Sequence, residues 1–223
     1  VLAHLRELRP HWTVDIACKA GAHTLFDGLC RQVTLLSDDS ASRGDYSIDL
    51  TLPWGEPTET YCDSPSTKAE KCLREVFRLE PMERLCRYRI APHAAACERA
   101  DDYLRDLCGT AIARQPVVLL HYQGNSARGA KNLDEAIARD MVEVVRRRGL
   151  LPVVLDWESP PRSGLVRAGL VESPGTDHPL WNGLRTGDGA ALAALVARVA
   201  FLVAIDSGPG HVAGATSTPT LVV

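Results

Sequence analysis

Three runs of apolar residues, Val117-Val118-Leu119-Leu120-His121, Leu151–Leu155 and Phe201-Leu202-Val203-Ala204-Ile205, show no polar/apolar alternation. A strand with one wet face alternates. A strand that is apolar at every position is covered on both faces, which points to a parallel sheet sandwiched between helices. Helical patterns lie between these runs, at about 133–148 and 190–199. In the first, Ile137, Met141, Val144 and Val145 are expected on one face. An α/β layering follows. Arg146-Arg147-Arg148 ends that helix and complements its dipole, with Gly149 as C-cap, so the triplet reads as a solvated helix end rather than a nucleic-acid patch.

The first half is less regular. Val1, Leu2, Leu5 and Leu8 keep helical spacing until Pro10, and strands are expected at 14–18, 32–36 and 46–52 around a helix at 22–29. Residues 53–66 are turn formers, and helices are expected at about 67–79, 82–89 and 93–108. The change of character around Gly109–Pro116 puts a domain boundary between 112 and 113, giving domains 1–112 and 113–223. Ser159–Gly189 is rich in Pro, Gly and Ser and reads as a long connection. The chain opens on Val1 inside a helical pattern and stops at a strand-like Thr-Leu-Val-Val, so a fragment incomplete at both ends is expected.

Composition excludes some classes. Lys and Arg number 25 against 28 Asp and Glu, a net charge of −3, which gives no global attraction to nucleic acid or anionic membrane. No run approaches the roughly 18 apolar residues of a membrane span, and no leader pattern is visible, so a cytoplasmic chain is expected. The seven cysteines, at 18, 30, 62, 72, 86, 97 and 108, contain no C-x-x-C pair and suit free thiols in a reducing compartment. A metal site from Cys62, Cys72, Cys86 and Cys97 has wider gaps than compact zinc knuckles, and buried small hydrophobes are the simpler reading. Asp38-Asp39 and Asp101-Asp102 read as solvated pairs, and no metal site is expected.

The chemistry concentrates in Ile205-Asp206-Ser207-Gly208-Pro209-Gly210-His211-Val212-Ala213-Gly214-Ala215. A buried strand ends at Asp206, small residues turn the chain, and Pro209 suits a first helical turn. A helix that starts there presents unpaired N–H groups and a positive dipole end, a site suited to a diphosphate. Ser207 adds a hydroxyl, Gly208 and Gly210 admit a phosphate close to the backbone, and His211 adds an imidazole donor. Asp206 would repel phosphate and suits sugar hydroxyls or the loop's own N–H groups. Strand, glycine-rich turn and helix also occur together as a plain connection. Neither G-x-G-x-x-G nor a P-loop is present.

Asp206-Ser-Gly-Pro-Gly-His-Val-Ala-Gly-Ala, a short turn and Pro219 before an apolar strand resemble the donor-site signature of glycosyltransferase family nine, the ADP-heptose:lipopolysaccharide heptosyltransferases. That signature runs Asp-Thr/Ser-Gly-x-x-His-x-Ala-x-Ala and then x-Pro-Thr. His121-Tyr-Gln-Gly-Asn-Ser with Lys131 is similar to the family's strand, small-polar loop and lysine, and Leu155-Asp-Trp-Glu to its next strand end. The resemblance implies a GT-B architecture of two Rossmann-like domains, the second holding a nucleoside-diphosphate sugar such as ADP-heptose. It further implies a metal-independent, inverting transfer to a glycan or lipopolysaccharide acceptor, with peripheral inner-membrane contact, and needs no cofactor. By position, Ser207, Gly208 and His211 would hold the diphosphate, Lys131 would neutralise it, and Asn125 and Ser126 would line its pocket. Glu158 would face the ribose or base, and Asp206 the donor sugar.

Two departures stand out. The family carries an aromatic residue two positions after the lysine, where this chain has Leu133. Its candidate general base, an Asp, belongs upstream of Val1, and Asp15, Asp45 and Asp63 are not promoted in its place. His23 reads as a surface or capping residue or as the start of an acceptor-facing helix, Trp54 as a loop anchor or a stacking surface for a sugar, and His178 and Trp181 receive no role. A non-catalytic nucleotide-sugar binder is the alternative to the transferase, and a GT-B-like epimerase a third reading.

Overall fold

The structure, a computed structural model, describes residues 1–18, 22–26, 30–35, 70, 72–85, 89–108, 115–124, 131–156, 158, 160–171 and 178–223. It forms two compact units, one of residues 1–19 and 26–88, the other of 20–25 and 89–223. The sequence-based boundary at 112/113 therefore shifts toward the N-terminus. Helix 94–108 belongs to the second unit because its apolar face, with Ala96, Ala100 and Tyr103, enters that unit's core.

In the first unit, α1 (Leu2–Leu8) buries His4 and Leu5. Strands β1 (Asp15–Cys18) and β2 (Gln32–Leu35) pair in parallel, Asp15 opposite Gln32. Leu5, Leu73 and Leu79 form the core, with Val1, Leu8, Val14 and Phe77 against it. His4 Nε2 accepts the Met82 N–H at 2.8 Å. Burial, with Arg84 and the N-terminal amine nearby, pushes the His4 pKa down. The helix expected at 82–89 is reduced, within the described residues, to a 3-10 turn at Glu83–Leu85, and the one at 22–29 to His23–Leu25 of the second unit. The strand expected at 46–52 lies outside the described residues.

The second unit carries a four-stranded all-parallel sheet: β3 (Val117–His121), β4 (Leu151–Val154), β5 (Phe201–Ala204) and β6 (Thr220–Val222), in the order β4-β3-β5-β6. Side chains alternate across each strand, so β3 serves two cores. Val117 and Leu119 meet α2 (Ala94–Cys108), and later helices cover the same face. Val118 and Leu120 meet α3 (Glu135–Arg147). Both faces are covered, as the unbroken apolar runs require.

Val145 of the expected α3 face is buried, but the rest of that face is one residue out of register: Ala138 and Val142 are buried, whereas Ile137 and Val144 are nearly half exposed. Asp134 caps this helix by accepting from the Ala136 N–H, and Gly149 follows it at φ 70°, where a side chain would be strained. The connection expected over 159–189 contains helices as well: α4 (Gly164–Arg167) and α5 (Pro179–Arg185), followed by α6 (Gly189–Val196). In α6 six of eight residues are buried, so this small-residue helix lies deep in the core. The last helix, α7 (Gly208–Thr216), leads into β6.

Candidate functional site

From β3 the chain crosses to β4 on one side and returns to β5 on the other. The direction of winding reverses at β3. In open parallel sheets, the crevice at the carboxyl ends of the strands flanking such a reversal is where ligands sit. A cleft of about 280 Å³ opens there, lined by His121, Gly124 and Lys131 after β3, by Asp156, Glu158 and Arg162 after β4, and by Ile205–Pro209 after β5.

The β5 side is the start of α7. Ser207 is the N-cap residue, with extended backbone at φ −163° and ψ 172°, and Pro209 occupies the first turn. The Ser207 hydroxyl donates to the Ile205 carbonyl at 2.9 Å and does not cap the helix. Pro209 has no N–H, and the Gly210 N–H already donates to the Ser207 carbonyl at 3.1 Å, so this end of α7 offers the cleft the Gly208 N–H and a positive dipole. A Cβ placed on Gly208 would meet open space. The glycine is therefore not required by packing, but it leaves the approach to that N–H bare.

The β3 side delivers a cation. The Leu133 N–H donates to the Tyr122 carbonyl at 3.0 Å and Asn132 Oδ1 accepts from the Gly124 N–H at 2.9 Å, which pins the chain around Lys131 beside the end of β3. Asn132 does its work by hydrogen bonding, and Leu133 packs partly into the apolar layer under α3. Lys131 Nζ lies 2.9 Å from Asp206 Oδ2. The lysine ammonium, with His211 at 4.0 Å from the other carboxylate oxygen, holds the Asp206 carboxyl below the ordinary carboxylate range.

The β4 side is a braced loop. Asp156 is buried and accepts from the Ser163 N–H at 2.6 Å and the Glu158 N–H at 3.2 Å. The Ser163 hydroxyl bonds the buried Tyr122 hydroxyl at 2.5 Å and also caps α4. Arg162 donates to Glu158 Oε1 at 3.2 Å and to the Gly124 carbonyl at 3.4 Å. His121 lies beneath, where burial lowers its pKa to about 4 and keeps it neutral.

Of the expected site residues, Lys131, Glu158, Asp206, Ser207 and Gly208 line the cleft, and His211 joins through Asp206. Asn125 and Ser126 lie outside the described residues, as do Asp45, Trp54 and Asp63. His121, Asn132 and Arg162 were not singled out from the sequence, although Arg162 stands at helical spacing from Glu158, a signal available there. Several residues read as structural do pair locally. Asp15 bonds Arg31, Asp101 bonds Arg198, and Asp102 bonds Arg105. His178 sits edge-on to Tyr103 with ring centroids 5.3 Å apart and lies 3.5 Å from Asp106. Among the described residues no three His, Cys, Asp or Glu side chains gather as a metal-ligand set, and Cys18, Cys30, Cys72 and Cys97 form no disulfide. Cys62 and Cys86 lie outside the described residues.

The chain is similar in fold to the glycosyl transferase family 9 protein from Veillonella parvula DSM 2008. The likeness has a TM-score of 0.62 at 12% sequence identity and covers 99% of this chain and 75% of that one. No protein-family model matches the sequence, and no curated protein does. Sequence resemblance and fold likeness thus converge on one structural class, a mixed α/β chain with parallel sheets. No helix of the described residues is long and apolar enough to cross a membrane.

Proposed function

We propose that this chain is a glycosyltransferase of GT-B type, in which the second unit binds a nucleoside-diphosphate sugar. The observation that carries the reading is the uncapped start of α7 opening, beside Gly208 and opposite Lys131, onto the cleft at the winding reversal. A diphosphate there would accept from the Gly208 N–H at the start of α7 and from Ser207, with Lys131 and His211 as cationic or polar partners. Asn125 and Ser126 would complete its pocket, Glu158 would accept from the ribose, and Asp206 from the sugar once Lys131 turns to the phosphates.

In the transfer, the bond between the anomeric carbon and the diphosphate oxygen breaks while an acceptor hydroxyl attacks from the opposite face, inverting the carbon. The acceptor's proton passes to a general base, a role given to none of the cleft's carboxylates. Charge builds on the leaving diphosphate in the transition state, where fixed donors stabilise it most, so N–H groups and Lys131 fill the role a divalent cation has elsewhere. The donor sugar is heptose-like and the nucleotide ADP. The acceptor is a glycolipid such as a lipopolysaccharide core, met at the cytoplasmic face of the membrane.

One observation favours a second reading, a non-catalytic binder. Each carboxylate of the cleft is engaged: Asp156 by backbone N–H groups, Glu158 by Arg162, and Asp206 by Lys131. Turnover of a sugar nucleotide with acceptor separates the two. For the site itself, calorimetry with nucleoside diphosphates is the test. Lys131→Ala should weaken binding by about tenfold, the scale of one charge-assisted hydrogen bond, and Ser207→Ala by less. Unchanged affinity in both variants overturns the assignment.

A further inference from the structure

Arg162 occupies a position that neither the motif nor the donor-site reading uses. It stands on the loop after β4, one residue before Ser163, whose N–H and hydroxyl are both held in the protein interior by Asp156 and Tyr122. The root of the arginine is therefore fixed, and its side chain is only about a quarter exposed. Its guanidinium reaches two loops at once. One nitrogen donates to Glu158 Oε1 at 3.2 Å, four residues back, and another to the Gly124 carbonyl at 3.4 Å, 38 residues away on the loop after β3. All three residues line the same cleft.

A planar guanidinium with its donors in a rigid fork is suited to bridging two acceptors of fixed separation, which the single rotating ammonium of lysine is not. Glu158 has few other restraints. Its backbone N–H is held by Asp156, but its carboxylate is more than a third exposed, and Arg162 is the residue seen to orient it. A glutamate that must accept hydrogen bonds from the hydroxyl pair of a ribose gains affinity when its rotamer is set in advance.

We propose that Arg162 is a positioning residue of the donor site. It locks the Glu158 carboxylate toward the nucleoside half of the cleft and ties the β3 and β4 loops together, without touching the phosphates itself. This rests on the nucleoside-diphosphate reading of the cleft. It divides the site into two parts: a phosphate part made by α7 and Lys131, and a nucleoside part whose order depends on one guanidinium.

The division gives a test in which the two ideas fail separately. Binding of ADP and of inorganic pyrophosphate is measured by calorimetry for the unaltered chain, Arg162→Ala, Arg162→Lys, Glu158→Ala and the double variant. Arg162→Ala should weaken ADP by about tenfold and leave pyrophosphate within about twofold, because only the nucleoside half loses its hydrogen-bonding partner. Arg162→Lys should restore part of the loss, since it keeps the charge but bridges only one loop. The double variant should bind ADP no more weakly than Glu158→Ala alone, as expected when one residue acts through the other. Equal losses for ADP and pyrophosphate in Arg162→Ala would make the arginine a direct phosphate ligand and overturn the proposal. So would additive losses in the double variant, or no loss at all. If the unaltered chain binds pyrophosphate but not ADP, the nucleoside half is wrong and the proposal falls with it. If it binds neither, the diphosphate reading of the cleft has failed, and that result is distinct from any effect of Arg162.

Discussion

Lys131 Nζ and Asp206 Oδ2 face each other at 2.9 Å across the mouth of the cleft, joining the segment after β3 to the end of β5. Both side chains are substantially exposed, so the pair adds little to stability. Its consequence is for ligand exchange: the cation expected to neutralise a diphosphate is parked on the carboxylate expected to receive the sugar, and both are released together. With Lys131→Met, the Asp206 carboxyl pKa should rise back toward the ordinary aspartate range, because the ammonium is the main group that lowers it. Carbon-13 NMR titration of the carboxyl reads this directly. An unchanged titration would mean that the ammonium does not hold the carboxylate in solution.

Gly208 separates folding from binding. Its Cβ would enter open space and its backbone is helical, so Gly208→Ala should change stability by no more than about 0.5 kcal/mol. The methyl group would nevertheless crowd the cleft lining beside the Gly208 N–H. Affinity for ADP should drop by about tenfold, equivalent to about 1.4 kcal/mol. Thermal melting and calorimetry on one preparation read both quantities, and a variant with full affinity would place the ligand elsewhere.

His121 gives the fold a pH dependence. Burial lowers its pKa from 6.5 to about 4, with a backbone interaction at Leu155 partly opposing. Between those values the unfolded chain binds the proton and the folded chain does not. Stability therefore falls as the pH drops from about 6.5 to about 4, by up to about 3 kcal/mol, and this contribution is complete below pH 4. His4, also pushed down by burial, adds in the same direction. Urea unfolding at pH 7.5 and 4.5 should show a smaller difference for His121→Asn than for the unaltered chain. An equal difference would show that this histidine is not buried neutral.

The register of α3 is open to a paired comparison. Val142 is 2% exposed and Val144 46%, two residues apart on one helix. Val142→Ala should cost about 1–3 kcal/mol through lost burial and a cavity, and Val144→Ala less than about 0.5 kcal/mol. Reversed values in denaturant unfolding would restore the face expected from periodicity.

That misplaced face illustrates where the sequence is readable. Val117–Leu120 and Phe201–Ala204 announce a two-faced sheet because every position is apolar, and no choice of face is needed. In α3 the apolar residues at 137, 138, 141, 142, 144 and 145 span an arc of about 160°, wider than the stripe that is buried, so periodicity sets the face but not which edge of it lies deepest; packing against the sheet does. The strand-to-α7 turn was legible because Asp206–Ala215 concentrates small residues, a proline and polar groups at one strand end. Arg162 was not, since its role depends on Gly124, 38 residues away, and on a loop braced by a buried aspartate. The boundary moved because helix 94–108 carries its apolar face to the second unit's core, a tertiary fact absent from composition.

The central claim is that the start of α7 receives a diphosphate. Nitrogen-15 NMR of the uniformly labelled chain, titrated with ADP, observes those amides one by one. Large, saturable downfield shifts are expected at the Ser207 and Gly208 N–H groups, both with one dissociation constant and both needing about ten times more ADP in Lys131→Ala. Saturable binding that leaves these two amides unmoved would contradict it.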